Sequence, residues 1–298
     1  MWVTLAFVSA FLLGCYEVSK KHALDGNAVL PVLFLNTLLS SLIFVPFIVL
    51  SRATDWLDGS LAYVPVVSLQ THGQVFLKSV IVLGSWISGY FSVKHLPLTL
   101  TGPIKASQPV ITLLGALVIF AERLNPYQWI GAGLAVLSLF LLSTSGKKEG
   151  IRFAHNKWIV YAVLSMILGA LSGLYDKRLM QSLDVMTVQV WFNIYQLLIM
   201  AAILRWLWYP HRRRTTPFEW KWSIVCISLF LAVADWIYFY ALNKPDSMIS
   251  IVSMIRRSNV LVTFMAGAVF FHEKNLKNKA FDLLLVLSGM IFLYLGTK

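Results

Sequence analysis

The chain predicts an all-α integral membrane protein: ten transmembrane helices in a 5+5 inverted repeat around a central cavity. Three observations carry that expectation. The 298 residues are 58% hydrophobic and only 13% charged, with a mean hydropathy of +0.73; a soluble domain carries roughly a quarter charged residues. The apolar residues come in blocks long enough to cross a hydrocarbon core, which takes about 20 residues per helix. The third observation is internal repetition. Moving Leu98–Ala121 by 151 residues lays Lys105 on Arg256, Ile104 on Ile255, Ser107 on Ser258, Thr112 on Thr263 and Glu122 on Glu273.

Reading from the N-terminus, the first segment is Trp2–Lys20, which lacks a basic n-region and a small-residue cleavage site and is expected to be retained. The second, Leu30–Leu50, contains no charged residue. The third, Gln74–Lys94, is closed by Pro97, and the fourth, Leu98–Ala121, follows at once. Pro126 opens the fifth, Pro126–Ser143. A second set follows at Trp158–Asp176, Val185–Trp208, Trp220–Ala241, Ser247–Phe271 and Leu276–Leu295. No alternation of apolar and polar residues runs through these blocks, so a membrane β-barrel is not expected.

The basic stretch between the two sets divides the chain into repeats at 1–146 and 157–298, joined by a linker at 147–156. The first helices of the halves also correspond. A shift of 156 pairs Trp2 with Trp158, Ala6 with Ala162, Ser9 with Ser165, Leu12 with Leu168 and Lys21 with Lys177. Five is odd, so the second copy enters the membrane from the opposite face, the architecture secondary transporters use.

The net charge of +12 does not point to nucleic acid. The basic residues gather in short loops, as in Lys147-Lys148 and Arg212-Arg213-Arg214. With the N-terminus on one side, seven Lys and Arg fall near that side and fifteen, Lys20 and Lys21 among them, near the other. The richer side reads as cytoplasmic, which puts both termini on the extracytoplasmic face of a plasma (bacterial inner) membrane. Cys15 and Cys226 lie in apolar segments, so no disulfide framework, metal set or cofactor is expected.

Three cations remain inside apolar segments: Lys105, Arg256 and Arg257. A charge at that depth is costly and is expected to have a partner or a ligand. Guanidinium grips a carboxylate or phosphate through two parallel hydrogen bonds, and lysine adds a point charge. Adjacent helical residues point about 100° apart, so the two arginines cannot face one cavity equally. Glu17 and Asp235 are the acids able to neutralise such cations or to carry a coupling proton, because burial disfavours an ionised carboxylate. Asn36, Gln189, Asn193 and Gln196 punctuate apolar helices, and the last three share one face. They either line the site or bond helix to helix. Tyr238 is a candidate to stack on a substrate.

The stretch Leu96–Leu142 resembles the end of an EamA repeat of the drug/metabolite transporter superfamily. It has a proline in the fourth helix (Pro109), a closing Glu122-Arg123 pair, and the Gln128-Trp129, Gly131 turn into a glycine-rich fifth helix. The second half keeps Glu273 but has Val260 where the proline stands. Ile104-Lys105-Ala106, Pro109 and Arg256-Arg257 are similar to the pattern of triose-phosphate and sugar-phosphate translocators, in which such cations hold the phosphate. Trp86 and Val233 stand where that branch often has histidine and tyrosine. The resemblance implies a secondary active transporter of a small polar, anionic metabolite working by alternating access, with proton coupling and a homodimer as open options. The alternative is an exporter of amino acids or amphipathic compounds, with the buried cations paired internally. An intramembrane enzyme is not expected: His272-Glu273 is followed by Lys-Asn, and no nucleophile–base motif occurs.

Overall fold

The computed structural model describes residues 2–60, 62–108, 110–112, 156–180, 182–213, 215–242, 255–273 and 276–296, with scattered residues between 125 and 141. Pro109, Glu122, Arg123 and Gln128, the linker, and most of the predicted fifth segment lie outside the described residues. The helices are α1 (Trp2–Leu24), α2 (Val29–Ala53), α3 (Leu69–His95), α4 (Leu98–Ala106), α5 (Lys157–Met180), α6 (Val185–Ile203), α7 (Ser223–Leu242), α8 (Asn259–Val269) and α9 (Leu276–Leu295). No strand occurs among the described residues.

Five helices among the described residues are long and apolar enough to cross a membrane: Val3–Leu24, Val29–Ala53, Leu69–His95, Lys157–Asp176 and Val185–His211. Their outward faces are apolar. Val3, Phe7 and Phe11 form one exposed stripe on α1, and Leu42 and Val49 do the same on α2. Such stripes suit lipid contact rather than water. Inside, Leu24, Leu33, Tyr90, Val93, Leu98 and Ile227 make the main core where α1, α2, α3, α4 and α7 meet.

The packing has a plain internal logic. α1 lies along α7, and α5 lies along α3. α2 packs on α6, α4 on α8, α1 on α8 and α5 on α4. Exchange α1–α4 for α5–α8 and each of these contacts turns into another contact of the same set. The repeat found in the sequence is therefore a repeat of tertiary neighbours.

Helix ends differ from the sequence expectation by a few residues, and the differences have local causes. α3 starts at Leu69 rather than Gln74 because Ser68 caps it, its side chain accepting from the Thr71 amide. α6 is capped the same way by Asp184, which accepts from the Thr187 amide at 3.0 Å. Its end unwinds through a π-turn, Leu204–Trp208, and a 3-10 turn, Tyr209–His211.

The α3–α4 turn is held by two charges from elsewhere. Lys21 donates to the carbonyls of Val93 and Leu96, both at 2.7 Å, which meets the negative end of α3. Glu273 accepts from the amides of Leu98 at 2.6 Å and Thr99 at 2.9 Å, and from the Thr99 hydroxyl. That carboxylate satisfies amides that α4 leaves unpaired at its positive end. Glu273→Ala is expected to cost about 1–3 kcal/mol, the value of a lost cap with buried donors left open. Thermal melting in detergent micelles checks this, and an unchanged midpoint would count against the cap.

Candidate functional site

The two helices that carry the buried cations break at matching places. In the fourth segment the Ser107 amide bonds back to Ile104 at 3.2 Å, and the Val110 amide to Ser107 at 3.1 Å. In the ninth, Ser258 bonds to Ile255 at 2.9 Å, and Leu261 to Ser258 at 2.9 Å. Both serines sit near ψ of zero, Ser107 at φ −79, ψ −4 and Ser258 at φ −65, ψ −6. This is the sparsely allowed bridge region, met in tight turns and at active sites. The four residues 104, 107, 255 and 258 correspond under the 151-residue shift. Each break therefore follows two residues after its cation, Lys105 or Arg256. Pro109 lacks the amide hydrogen that a continuous helix would give to Lys105, and its ring would crowd that carbonyl.

Both cations are already engaged. Lys105 Nζ lies 2.9 Å from Glu17 Oε1, and Lys20 Nζ lies 2.6 Å from Glu17 Oε2. One carboxylate on α1 thus holds two lysines, and Lys20 is only 2% exposed. Lys20 also lies over the rings of Tyr16 and Tyr90, at 4.4 and 5.1 Å, where cation–π attraction offsets part of its desolvation. Arg256 pairs with Asp235 of α7, and its Nε donates to Ser9 Oγ at 3.2 Å. Ser9 in turn donates to the Ala234 carbonyl at 2.7 Å. The two ion pairs are stacked along α1. Ser9 and Glu17 are eight residues apart, about 12 Å at 1.5 Å per residue.

Arg257 is different. It lies within electrostatic reach of Arg256, Tyr238 and Glu17, yet makes no ion pair among the described residues. A cavity of about 20 Å³ opens beside Lys105, lined by Glu17, Thr101, Gly102, Asn259 and Thr263. That is room for about one water, so the site is closed in this conformation. Close helix approach keeps it so. A Cβ on Gly14 of α1 would lie 2.4 Å from the Cβ of Val262 on α8, and one on Gly102 would lie 3.0 Å from Thr263 Oγ1.

The remaining predicted residues are placed as follows. Asn36 accepts from Ser228 Oγ at 3.1 Å, bonding α2 to α7. Asn193 donates to the Gln189 carbonyl at 2.7 Å and accepts, through its own carbonyl, from Ser41 at 2.9 Å. Asn36 is thus a helix-to-helix contact, the Asn193 side chain bonds within α6, and neither they nor Gln189 lines the cavity beside Lys105. Tyr238 stacks under the Arg256 guanidinium at 4.1 Å, which sets its ring beside one of the predicted substrate-binding cations. Lys20 is not one of the loop charges at a membrane face that its sequence position suggests: its spacing of three from Glu17 folds it back onto that carboxylate. That spacing was the available signal.

A family model for the EamA-like transporter family matches residues 1–144 and again 156–295. The chain belongs to that family. It is a membrane transporter that crosses the bilayer several times. A stretch of 70 residues is 31% identical to the probable 4-amino-4-deoxy-L-arabinose-phosphoundecaprenol flippase subunit ArnE of Aeromonas salmonicida (strain A449). The match covers 22% of this chain and 59% of that relative's length. A protein of known crystal structure superposes over 99% of this chain and 97% of its own, with a TM-score of 0.64 and 13% identity. That likeness is one of fold.

For this EamA-family chain, the Gly14–Val262 contact sets how closely α1 and α8 approach. Gly14→Ala is expected to destabilise by about 1–3 kcal/mol through overpacking. Adding Val262→Ala should recover most of it. A double variant no better than the single one, in a detergent melt, would contradict the contact.

Proposed function

We propose that the protein is a secondary active transporter of a small polar anion, working by alternating access through two oppositely inserted five-helix repeats, 1–146 and 157–298. The observation that carries this reading is surplus charge. Lys20, Lys105, Arg256 and Arg257 converge on α1 and its neighbours, and Glu17 and Asp235 are the carboxylates that meet them. Among the described residues these four cations face two acids; a third acid within reach of Tyr238, Asp176, is taken up by Lys78. An uncompensated cation within a membrane protein costs several kcal/mol, and an anionic ligand at Arg257 removes that cost. The paired breaks after Lys105 and Arg256 support the same site, since transporters use interrupted helices where ligands bind.

The geometry suggests an order of events. An anion reaches Arg257 first, then competes with Glu17 for Lys105 and with Asp235 for Arg256. Glu17 keeps Lys20 when Lys105 leaves. Asp235 has no second cation among its ion pairs in the described residues and keeps Tyr16 and Tyr238 within electrostatic reach, which makes it the better place for a coupling proton. Lys105, Arg256 and Arg257 are then the substrate-binding cations. Glu17 is the standing counter-ion. The cytoplasmic face is the one bearing Lys94 and Arg205, in a bacterial inner membrane with both termini outside.

The second reading, an exporter of amino acids or amphipathic compounds, is favoured by one observation: Lys105 and Arg256 are internally paired in this conformation. The ArnE relative, whose named cargo is a phospho-undecaprenol, fits either reading. Uptake into proteoliposomes separates them. With organic phosphates and dicarboxylates as substrates, Arg257→Gln is expected to raise KM roughly 10- to 100-fold, the worth of a hydrogen bond to a charged group at about 1.5–3 kcal/mol. Unchanged anion uptake in Arg257→Gln and in Lys105→Gln/Arg256→Gln would rule out the anion site. Asp235→Asn should abolish uptake driven by an acid pulse while Glu17→Gln keeps it. The opposite pattern would move the proton site to Glu17.

A further inference from the structure

One basic surface is untouched by this transport reading. At the end of α6, where the helix loosens into its π- and 3-10 turns, Tyr209 is half exposed and carries two guanidinium groups. Arg205 lies 5.4 Å and Arg212 4.0 Å from the ring centre. Arg213 is exposed beside them. Among the described residues none of these arginines makes an ion pair. Around them Trp206 is 73% and Trp222 77% exposed, and Trp222 meets Trp220 edge to face at 6.2 Å.

The loop that presents this patch is pinned to the body. Asn27 Nδ2 donates to the Glu219 carbonyl at 2.7 Å, and Asn27 Oδ1 accepts from the Glu219 amide at 2.9 Å. Lys94 donates to Thr216 Oγ1 at 2.9 Å, and Lys221 to the Asp25 carbonyl at 2.5 Å. The side chains available for holding the loop inward are thus Asn27, Lys94 and Lys221. The arginines are exposed, Arg205 in the last two turns of the Val185–His211 span and Arg212 and Arg213 directly beyond its end.

We propose that Arg205, Arg212 and Arg213, ordered on Tyr209, form a site for the headgroup phosphate of an anionic phospholipid, with Trp206 and Trp222 set against the acyl boundary. Charge decides the occupant: unpaired guanidinium forks match a phosphate in two-point fashion, and a basic cluster directly beyond a membrane span attracts anionic headgroups. Exposed tryptophans sit at the headgroup level for the same amphipathic reason. A mobile basic loop would attract anionic lipid only diffusely. A pinned one selects a place.

The test uses the full chain in nanodiscs of phosphatidylcholine alone or with one quarter phosphatidylglycerol. Phosphatidylglycerol is expected to raise the melting temperature of the native protein and to remain bound in native mass spectra. Removing each arginine should weaken retention about fivefold, from about 1 kcal/mol per basic residue. Arg212→Gln/Arg213→Gln should therefore lose most of the shift. Tyr209→Leu should lose part of it, and Arg178→Gln, at the far end of the molecule, should keep all of it. Equal melting in both lipid mixtures, or full retention in Arg212→Gln/Arg213→Gln, overturns the site. An equal shift from inorganic phosphate in phosphatidylcholine discs would also overturn it, by removing the lipid.

Discussion

The structure depends on how Glu17 is shared. A membrane interior tolerates ionised side chains only when their fields close on one another over short distances. Glu17 closes two at once, one from its own helix and one from α4. The intrahelical partner, Lys20, moves wherever α1 moves. The other, Lys105, belongs to a different helix and can leave without stripping the carboxylate. Asp235 and Arg256 form the simpler counterpart, joined to α1 only through the Ser9 hydroxyl. The two halves repeat each other in packing and differ in charge wiring.

That difference explains what the sequence could and could not say. The membrane class, most helix positions and the correspondence of Lys105 with Arg256 follow from apolar runs and self-similarity, which are local properties. α9, Leu276–Leu295, falls where expected. Partnerships such as Lys105 with Glu17 span 88 residues and depend on which helices become neighbours. Lys20 reads as an interfacial charge from its position near a helix end, while its burial comes from Tyr16 and Tyr90. The amides Asn36, Gln189 and Asn193 carry a face in the sequence but not what that face meets. For Asn36 it meets Ser228 of α7, and for Asn193 a carbonyl of its own helix.

The α3–α4 turn shows the same electrostatic economy outside the central cluster. Lys21 meets carbonyl oxygens at the end of one helix, and Glu273 meets amides at the start of the next. Each charge complements the sign of the helix end it touches. The turn is thereby tied to the ends of α1 and of the ninth segment, the two elements that flank the cavity.

The matched breaks at Ser107 and Ser258 have a mechanical meaning. An unbroken rod tilts as a whole, so a push at one membrane surface arrives undiminished at the other. Ending at Ser107, α4 is instead a short lever. Glu273 grips the lever that bears Lys105 at its outer tip, and the cation rides at the inner one. A displacement of a few ångströms at the surface turn is thus delivered to a single ammonium group deep in the bundle.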